Sequence, residues 1–182
     1  MSDRNPLAYT GRVSGSTTVQ GDVQFTASQF SVTNGIVSLL ATTSAMQYAD
    51  VTITAAQIKA ARATPVSLVA AQGAGAAIFF MGAQLKLNYG SEVFTETADN
   101  FAVRYTNGSG AIVSQTIENT GFIDQSADTL TSALPKIDAI VAATGAENQA
   151  LVLHNTGDGE IGGNASNDST ITARVFYQVV SL

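Results

Sequence analysis

The fold of this chain is decided by residues 64–89, which read TPVSLVAAQGAGAAIFFMGAQLKLNY. Between Arg62 and Lys86 the sequence holds no charged side chain, so the folded protein has to bury much of this stretch. A membrane-spanning helix needs about 20 predominantly apolar residues. Here Pro65 and the glycine-containing turn signal at 72–75 interrupt the run. The sequence therefore predicts buried strands around a turn and no membrane span.

The two predicted strands cover residues 66–71 and 76–89, and we expect them to form a hairpin. In the second strand Lys86 and Asn88 share one parity, whereas the opposite parity is apolar. Alternation with a period of two is typical of a strand with one buried face. The residues that we expect to face the core are Phe79, Met81, Leu85, Leu87 and Tyr89.

The composition limits the classes of function. Of 182 residues, 45% are apolar, which suffices for a core, and only 12% are charged, about half the share that is usual in soluble domains. The net charge is −6 and the eight basic residues are scattered, so we expect no nucleic-acid partner. Without cysteine there is neither a disulfide framework nor a thiolate metal site. The polar start lacks the apolar run of a signal peptide, so we expect synthesis in a cytoplasm.

Residues 1–50 form a segment distinct from the rest. Short alternating pieces are separated by Gly, Ser and Thr, and Asn34-Gly35 is a strong hairpin signal. The apolar side chains between residues 25 and 40 are too few to offset the entropy of ordering that segment alone. We therefore predict an extended N-terminal arm that packs on other protein. Its predicted interface residues are Phe25, Phe30, Val32, Ile36, Val37 and Leu39.

Residues 51–182 read as a single mainly β domain. Thr54 and Gln57 form a capping-box pattern before a short helix that ends ahead of Pro65. We predict a second hairpin from strands at 101–105 and 111–118, helical turns between 120 and 145, and further strands at 150–154 and 171–180. Most strands have one polar face. This favours an antiparallel, jelly-roll-like β-sandwich with one or two short helices.

The candidate chemical motifs favour structural roles. Residues 157–162 match the dinucleotide fingerprint GxGxxG, but no helix pattern follows, and a helix N-terminus is what binds the pyrophosphate. The loop 155–169 offers Asp158, Glu160 and Asp168 as oxygen ligands, yet it lacks the EF-hand spacing. We therefore predict a solvated loop without a cation.

Two further possibilities concern catalysis. His154 is the single histidine and no Gly-x-Ser-x-Gly elbow accompanies it, so we predict a packed or hydrogen-bonded ring. Asp124 and Asp128, four residues apart, could form a carboxylate pair, but their polar surroundings favour a cap and a solvated neighbour. We predict no catalytic residue, no metal and no cofactor, and hence a protein that is not an enzyme.

Four stretches carry a resemblance to a known group of proteins. They are DNFAVRYTNG at 99–108, VSQTI at 113–117, GFIDQ at 121–125 and ENQALVLHN at 147–155. The chain resembles small structural proteins of tailed bacteriophage virions, in particular capsid decoration (cement) proteins, over residues 95–180. Separately, QFSVTNGIVSLL at 29–40 is similar to the β-rich segments that open virion and fibre proteins.

This resemblance implies a jelly-roll sandwich, often a homotrimer, that sits on the capsid surface, fastens capsomers and has no catalytic residues. The implied partners are the major capsid protein and further copies of the chain, and the implied location is the virion. A component of a tail or head fibre is an alternative within the same class. A carbohydrate-binding β-sandwich module is an alternative from another class. Such modules usually stack sugars on exposed aromatic rings, whereas this chain has no Trp and most of its Tyr and Phe are expected to face the core.

Overall fold

The structure is a computed structural model, and it describes residues 30–31, 38–39, 46–96 and 99–182. The chain forms two compact units, Met1–Leu39 and Leu40–Leu182. In the first unit, strands β1 (Phe30–Ser31) and β2 (Ser38–Leu39) pair antiparallel, with Phe30 opposite Leu39. This pairing agrees with the hairpin predicted around Asn34-Gly35.

The second unit contains nine strands and two short helices within its described residues. The strands are β3 (Met46–Ile53), β4 (Val66–Val69), β5 (Ala76–Asn88), β6 (Phe94–Thr95), β7 (Phe101–Tyr105), β8 (Thr129–Ala133), β9 (Leu151–Asn155), β10 (Gly162–Gly163) and β11 (Thr170–Ser181). The helices are α1 (Ala55–Lys59) and α2 (Ala143–Ala146). A four-stranded sheet has the order β3-β11-β5-β8, a three-stranded sheet has the order β4-β9-β7, and β6 pairs with β10. All pairings are antiparallel. The predicted mainly β, sandwich-type fold with short helices is confirmed.

The hydrophobic core takes side chains from both main sheets. Strand β11 alternates buried and partly exposed positions along most of its length, as expected for a strand with one covered face. Each of the following core side chains is at most 1% exposed: Ile53, Ile78, Leu85, Leu87, Phe101, Val103, Leu151, Leu153, Ile171 and Val175. Burial of such large apolar side chains contributes roughly 1.5–3 kcal/mol apiece, so this layer is the main source of stability.

Helix α1 begins with the predicted capping box. The Gln57 main-chain N–H donates to Thr54 Oγ1 at 3.4 Å, and the Thr54 main-chain N–H donates to Gln57 Oε1 at 2.9 Å. The helix buries Ile58 and has Lys59 in its last turn. The Lys59 ammonium donates to the Asn164 carbonyl at 2.6 Å, which ties the helix to the loop between β10 and β11.

The predicted central hairpin is wrong, although its strands exist. Strand β4 pairs with β9 in one sheet, whereas β5 pairs with β11 and β8 in the other. The 13-residue β5 satisfies many more main-chain groups beside the 12-residue β11 than it could beside the four-residue β4. The glycine turn therefore crosses between sheets. Its Gly73 and Gly75 N–H groups donate to Asn148 and Glu147 side chains, at 2.9 and 2.8 Å.

A β-bulge in β5 reverses the predicted parity of that strand. Phe176 lies opposite Gly82, and Tyr177 lies opposite Phe80, so Met81 is an extra residue. Such an insertion exchanges the two faces of a strand. On the N-terminal side of β5 Phe80 is buried, while Phe79 and the bulged Met81 are exposed. The prediction that Phe79 and Met81 face the core is therefore wrong. After the bulge, Leu85 and Leu87 are buried as predicted, and Tyr89 is partly buried.

The second predicted hairpin forms without a continuous second strand. Val113 N–H donates to the Val103 carbonyl at 2.9 Å, and Ile117 N–H donates to the Phe101 carbonyl at 2.8 Å. Isolated bridges also join residues Arg104 and Ile112. The segment 111–118 thus pairs beside β7 at separate points.

The helical turns predicted between residues 120 and 145 are largely absent from that described segment. Residues 129–133 form β8, which supplies the second partner of β5, and α2 covers only Ala143–Ala146. The spacing of Leu130, Leu134 and Ile137 mimics a helix, but these side chains are exposed and no apolar helix face is buried through them. Pairing with β5 prevailed over this spacing because it satisfies main-chain groups on the open side of that strand.

The bulge depends on Gly82, which has φ of +143° and whose added Cβ would lie 3.3 Å from the Ala133 carbonyl oxygen. We expect Gly82→Ala to lower the free energy of unfolding by about 1–3 kcal/mol, because L side chains rarely adopt this backbone conformation. The matched control is Gly159→Ala, whose Cβ would meet no atom within 4 Å. Urea denaturation of both variants measures the difference. If Gly82→Ala and Gly159→Ala have the same free energy of unfolding, the bulge does not require glycine at position 82.

Candidate interaction surface

The outer face of the four-stranded sheet carries exposed side chains from three strands. Strands β3, β11 and β5 each place alternate side chains on this face, opposite the core. Its rows follow the strand register. Met46, Gln178 and Phe79 lie side by side in one row. Tyr48 and Phe176 are paired in the next row. In the row after that, Asp50 and Gln84 flank Arg174. The face consequently divides into an apolar end and a polar half.

The polar half centres on Arg174. Its guanidinium donates two hydrogen bonds to the Asp50 carboxylate, each 2.7 Å long, and lies 4.8 Å from the centre of the Tyr48 ring. The hydrogen bonds from Arg174 hold the pKa of Asp50 below its usual value, and Asp50 raises the pKa of Arg174. Because the pair is exposed to solvent, it adds little to stability. Its effect is to fix the orientation of the Tyr48 ring.

A second ion pair lies at the other edge of the polar half. Lys86 Nζ is 2.7 Å from Asp128 Oδ2, and the Tyr89 N–H donates to Asp128 Oδ1 at 2.9 Å. Lys86 is the main cause of the lowered pKa of Asp128. Asp124 instead accepts from the Gly121 N–H at 2.8 Å. Asp124 therefore caps the turn at Gly121, as predicted for one of the two carboxylates. Asp128 is ion-paired with Lys86, where we had expected a solvated side chain.

We use the term apolar end for eight exposed large apolar side chains on β3, on β5, in the segment after β8 and after β11. It consists of Met46, Tyr48, Phe79, Met81, Leu134, Ile137, Ile140 and Leu182. The most exposed are Ile137 at 91% and Ile140 at 98%. Phe79, Ile137 and Leu182 line one common cavity, which connects the sheet face to the segment 134–142. Apolar patches of this kind mark sites of interaction.

The cavity at the apolar end has a volume of about 440 Å³. Apolar side chains form most of its wall, which is lined by Ala77, Ile78, Phe79, Phe80, Tyr105, Val113, Pro135, Lys136, Ile137, Ala139, Val141, Ala143, Ala146, Val180 and Leu182. Among the described residues of this lining, Lys136 is the one that carries a charge. A cavity of this size and character falls in the range of binding pockets. It favours an apolar occupant.

His154 is buried on the outer side of the three-stranded sheet, as predicted for a packed ring. Arg104 Nη1 lies 3.4 Å from His154 Nδ1 and also donates to the Gly108 carbonyl. A Cβ on Gly108 would lie 2.6 Å from His154 Nε2, so glycine allows the turn to cover the ring. Burial, and then the charge of Arg104, lower the pKa of His154. The ring serves the packing of this sheet.

The loop between β9 and β11 uses its oxygen atoms to bind the protein's own main chain. Glu160 accepts from the Arg62 and Ala63 N–H groups at 3.1 and 2.8 Å. Asp168 accepts from the Ser91 N–H at 2.7 Å, which lowers the pKa of Asp168. These carboxylates point to different elements. The glycine motif at 157–162 runs into the short strand β10 and then a turn. The loop is thus fastened to the sandwich, where we had expected a solvated one.

The predicted arm interface lies mostly outside the described residues. Two of its members, Phe30 and Leu39, are described, as main-chain partners in β1 and β2. The others lie outside the described residues: Phe25, Val32, Ile36 and Val37. Their interface role stays a prediction. The apolar end was not predicted as a site. Two signals in the sequence pointed to it: glycine inside an apolar strand, which often marks a bulge, and Pro135 inside an apparent helix.

Comparisons with protein-family models and with curated proteins find no match for this chain. Among residues 46–96 and 99–182 and the short β1 and β2 segments, no three His, Asp or Glu side chains come together as a metal site. The helices of the described part are also too short to cross a membrane. The exposed surface is the feature of the described residues that bears on function.

His154 makes stability depend on pH in a predictable direction. Its pKa is lowered from 6.5 in the folded chain, so below about pH 6.5 the unfolded chain binds a proton that the folded chain does not. We expect the free energy of unfolding to fall as pH drops from 6.5 through the lowered pKa, by at most about 1.4 kcal/mol per pH unit. The neighbouring Arg62 and Arg104 oppose protonation, and Glu160 favours it.

The measurement is urea denaturation at several pH values between about 5 and 7, above the usual range of Asp and Glu. As this is the single histidine, His154→Gln should remove the slope. A slope that persists unchanged in the variant would contradict this assignment.

Proposed function

We propose that this protein is a non-enzymatic structural protein of a phage virion, which binds the outside of the capsid and stabilises it by bridging capsomers. The observation that carries the proposal is the apolar end. Eight large apolar side chains are exposed, and three of them line an apolar cavity, on a chain of low charge. Exposed apolar area of this kind is stabilised by association with other protein. An assembly protein meets that requirement.

The order of the strands supports a virion role. We count β3, β4, β5, β7, the segment 111–118, β8, β9 and β11 as eight successive strands. Numbered one to eight in this way, the sheet β3-β11-β5-β8 has the order one-eight-three-six. The sheet β4-β9-β7, extended by the segment 111–118 beside β7, has the order two-seven-four-five. This order matches an eight-stranded jelly roll, a fold of viral capsid proteins and also of lectins and cupins. The resemblance of residues 95–180 to capsid decoration proteins favours the first of these.

The roles of the titratable side chains also support a structural protein. Two carboxylates, Asp50 and Asp128, are each paired with a basic side chain. Two others, Glu160 and Asp168, accept hydrogen bonds from main-chain N–H groups. His154 is buried beneath a glycine turn. A hydrolytic or metal-dependent site would instead direct such groups towards a shared cleft. We infer that these side chains hold loops and strands together.

In this proposal the N-terminal arm makes the contact with the major capsid protein. Its predicted interface residues are apolar and closely spaced, and β1 and β2 pair antiparallel within it. The sandwich would then remain available for contacts with other copies.

A carbohydrate-binding module is a second candidate because of one observation. Tyr48 is 62% exposed, with Arg174 against its ring and Asp50 and Gln84 in the adjacent row. Exposed aromatic rings beside hydrogen-bonding side chains suit the stacking of sugars. Affinity electrophoresis in gels containing bacterial polysaccharide tests this candidate. Retardation that Tyr48→Ala abolishes would favour it over the capsid role.

The capsid role predicts the effect of removing the arm. A chain lacking residues 1–45 retains the whole of β3, so we expect it to stay folded with a cooperative melt. Its binding to capsids that lack their own copy should weaken at least tenfold, about 1.4 kcal/mol, because the apolar contacts are lost. Co-sedimentation with such capsids measures binding, and circular dichroism measures folding. Equal binding by the two chains would contradict the role of the arm.

Substitutions within the arm give a matched comparison at full length. Phe30 and Leu39 are register partners, and Ser31 and Ser38 are the adjacent partners. We expect Phe30→Asp with Leu39→Asp to weaken co-sedimentation as the deletion does. Ser31→Asp with Ser38→Asp adds the same charge and should leave it nearly unchanged. If the two pairs behave alike, charge and not apolar contact determines binding.

A further inference from the structure

We propose that the cavity at the apolar end is completed by a second copy of this chain, whose Ile140 side chain inserts into it. The proposal names the surface through which copies of the sandwich associate. It does not depend on the virion role. It requires only that the protein self-associates through this end.

The size of the apolar end fits an interface between copies. Its eight side chains have exposed fractions equivalent to about five fully exposed large side chains. At the roughly 150–250 Å² of an aromatic side chain this gives an upper figure of roughly 750–1,250 Å², since six of the eight are Met, Leu or Ile. The largest apolar patch on a typical monomer covers about 300–600 Å², whereas a stable interface buries about 800 Å² per partner. The upper figure thus reaches the size of an interface between copies.

The distribution of charge favours a copy of the same chain as the occupant. The chain has a net charge of −6, so two copies repel each other unless they meet through nearly uncharged surfaces. No charged side chain belongs to the eight residues of the apolar end. Lys136 is the charged residue among the described residues of the cavity lining, and Asp138, of opposite sign, is exposed on the same segment. A surface without a strong charge of its own offers nothing to an oppositely charged partner. It suits an identical uncharged surface.

The end carries both a protruding side chain and a recess. Ile140 is 98% exposed and lies on the segment 134–142, whereas the recess is lined by its neighbours Ala139, Val141 and Ala143. Several residues of this segment line the cavity, but Ile140 is not among them, and a hydrogen bond anchors the segment in this position. The Lys136 N–H donates to the Val113 carbonyl at 2.8 Å, and α2 follows directly.

Ile140 consequently does not fill the cavity of its own copy, yet it stands beside an apolar recess of about 440 Å³. Insertion into a neighbouring copy buries the side chain and fills the recess in one contact. Closed symmetry then places the same pair of surfaces at every interface. The predicted homotrimer is one arrangement of this kind.

The first test is the mass of the full chain at micromolar concentration by light scattering. We expect a multiple of 18.7 kDa. Ile140→Asp should shift the protein towards 18.7 kDa by weakening association at least tenfold, because it places a carboxylate in an apolar recess. The matched control is Leu130→Asp on the polar half, where Leu130 is 76% exposed. That variant should keep the wild-type mass.

Ala143→Trp fills the recess from the opposite side and should also reduce the mass. Both positions are exposed, so circular dichroism should show unchanged folding. A monomeric wild-type chain would overturn the proposal. So would equal effects of Ile140→Asp and Leu130→Asp, or wild-type mass in both Ile140→Asp and Ala143→Trp.

The second test detects the contact directly. The sequence contains no cysteine, so single cysteines can be introduced without competing thiols. A mixture of Ile140→Cys and Ala143→Cys proteins should form disulfide-linked heterodimers under mild oxidation, much faster than a mixture of Leu130→Cys and Ala143→Cys proteins. Equal rates in the two mixtures would overturn the proposal.

The two proposals can fail separately. A monomer that still sediments with capsids would overturn the contact between copies and leave the virion role intact. An oligomer that ignores capsids would do the reverse.

Discussion

The antiparallel ladder between β5 and β11 is the constraint on which the rest of the structure depends. The two strands pair along almost their whole lengths, from Thr170 opposite Asn88 to Ser181 opposite Ala76. They occupy the centre of the four-stranded sheet, with β3 and β8 on either side. Because this ladder satisfies the main chain of the most apolar stretch of the sequence, it determines which shorter strands remain for the second sheet. The glycine turn before β5 therefore connects two sheets.

The bulge within this ladder links the core to the exposed surface. One extra residue, Met81, directs Phe80 inwards and leaves Phe79 outside. The inversion thereby adds Phe79 and Met81 to the apolar end, whereas the polar half, where Arg174 pairs with Asp50, lies on β11 and β3. The bulge therefore influences both the packing of the core and the makeup of the exposed face. Its conformation requires glycine at position 82 because of the positive φ and the nearby Ala133 carbonyl.

The polar side chains show how a chain with few charges organises its loops. Glu160 binds the main chain after α1, Asp168 binds Ser91, and Lys59 binds the Asn164 carbonyl. These contacts are exposed or partly exposed and individually weak, but together they fasten the loop 155–169 to the sandwich. The uncharged apolar end stands apart from them. The polar side chains thus bind the protein's own loops, while the apolar end stays exposed and available for other protein. Both the virion proposal and the contact between copies depend on this exposed apolar end.

Local sequence determined the elements whose signals lie within a few residues. The capping box at Thr54, the strand at 151–155, the alternation of β11 and the packed state of His154 all follow from local pattern and composition. The mainly β class follows from the same alternation. The arm residues are a prediction from sequence that the described residues leave untested.

Tertiary structure decided the partner of each strand and the face that each side chain occupies. The parity of Phe79 and the exposure of Ile137 and Ile140 could not be predicted, because a one-residue bulge and a strand at 129–133 depend on pairing with residues distant in sequence. Register is a property of two strands together. The apolar end is the product of that pairing, so only the folded chain reveals it.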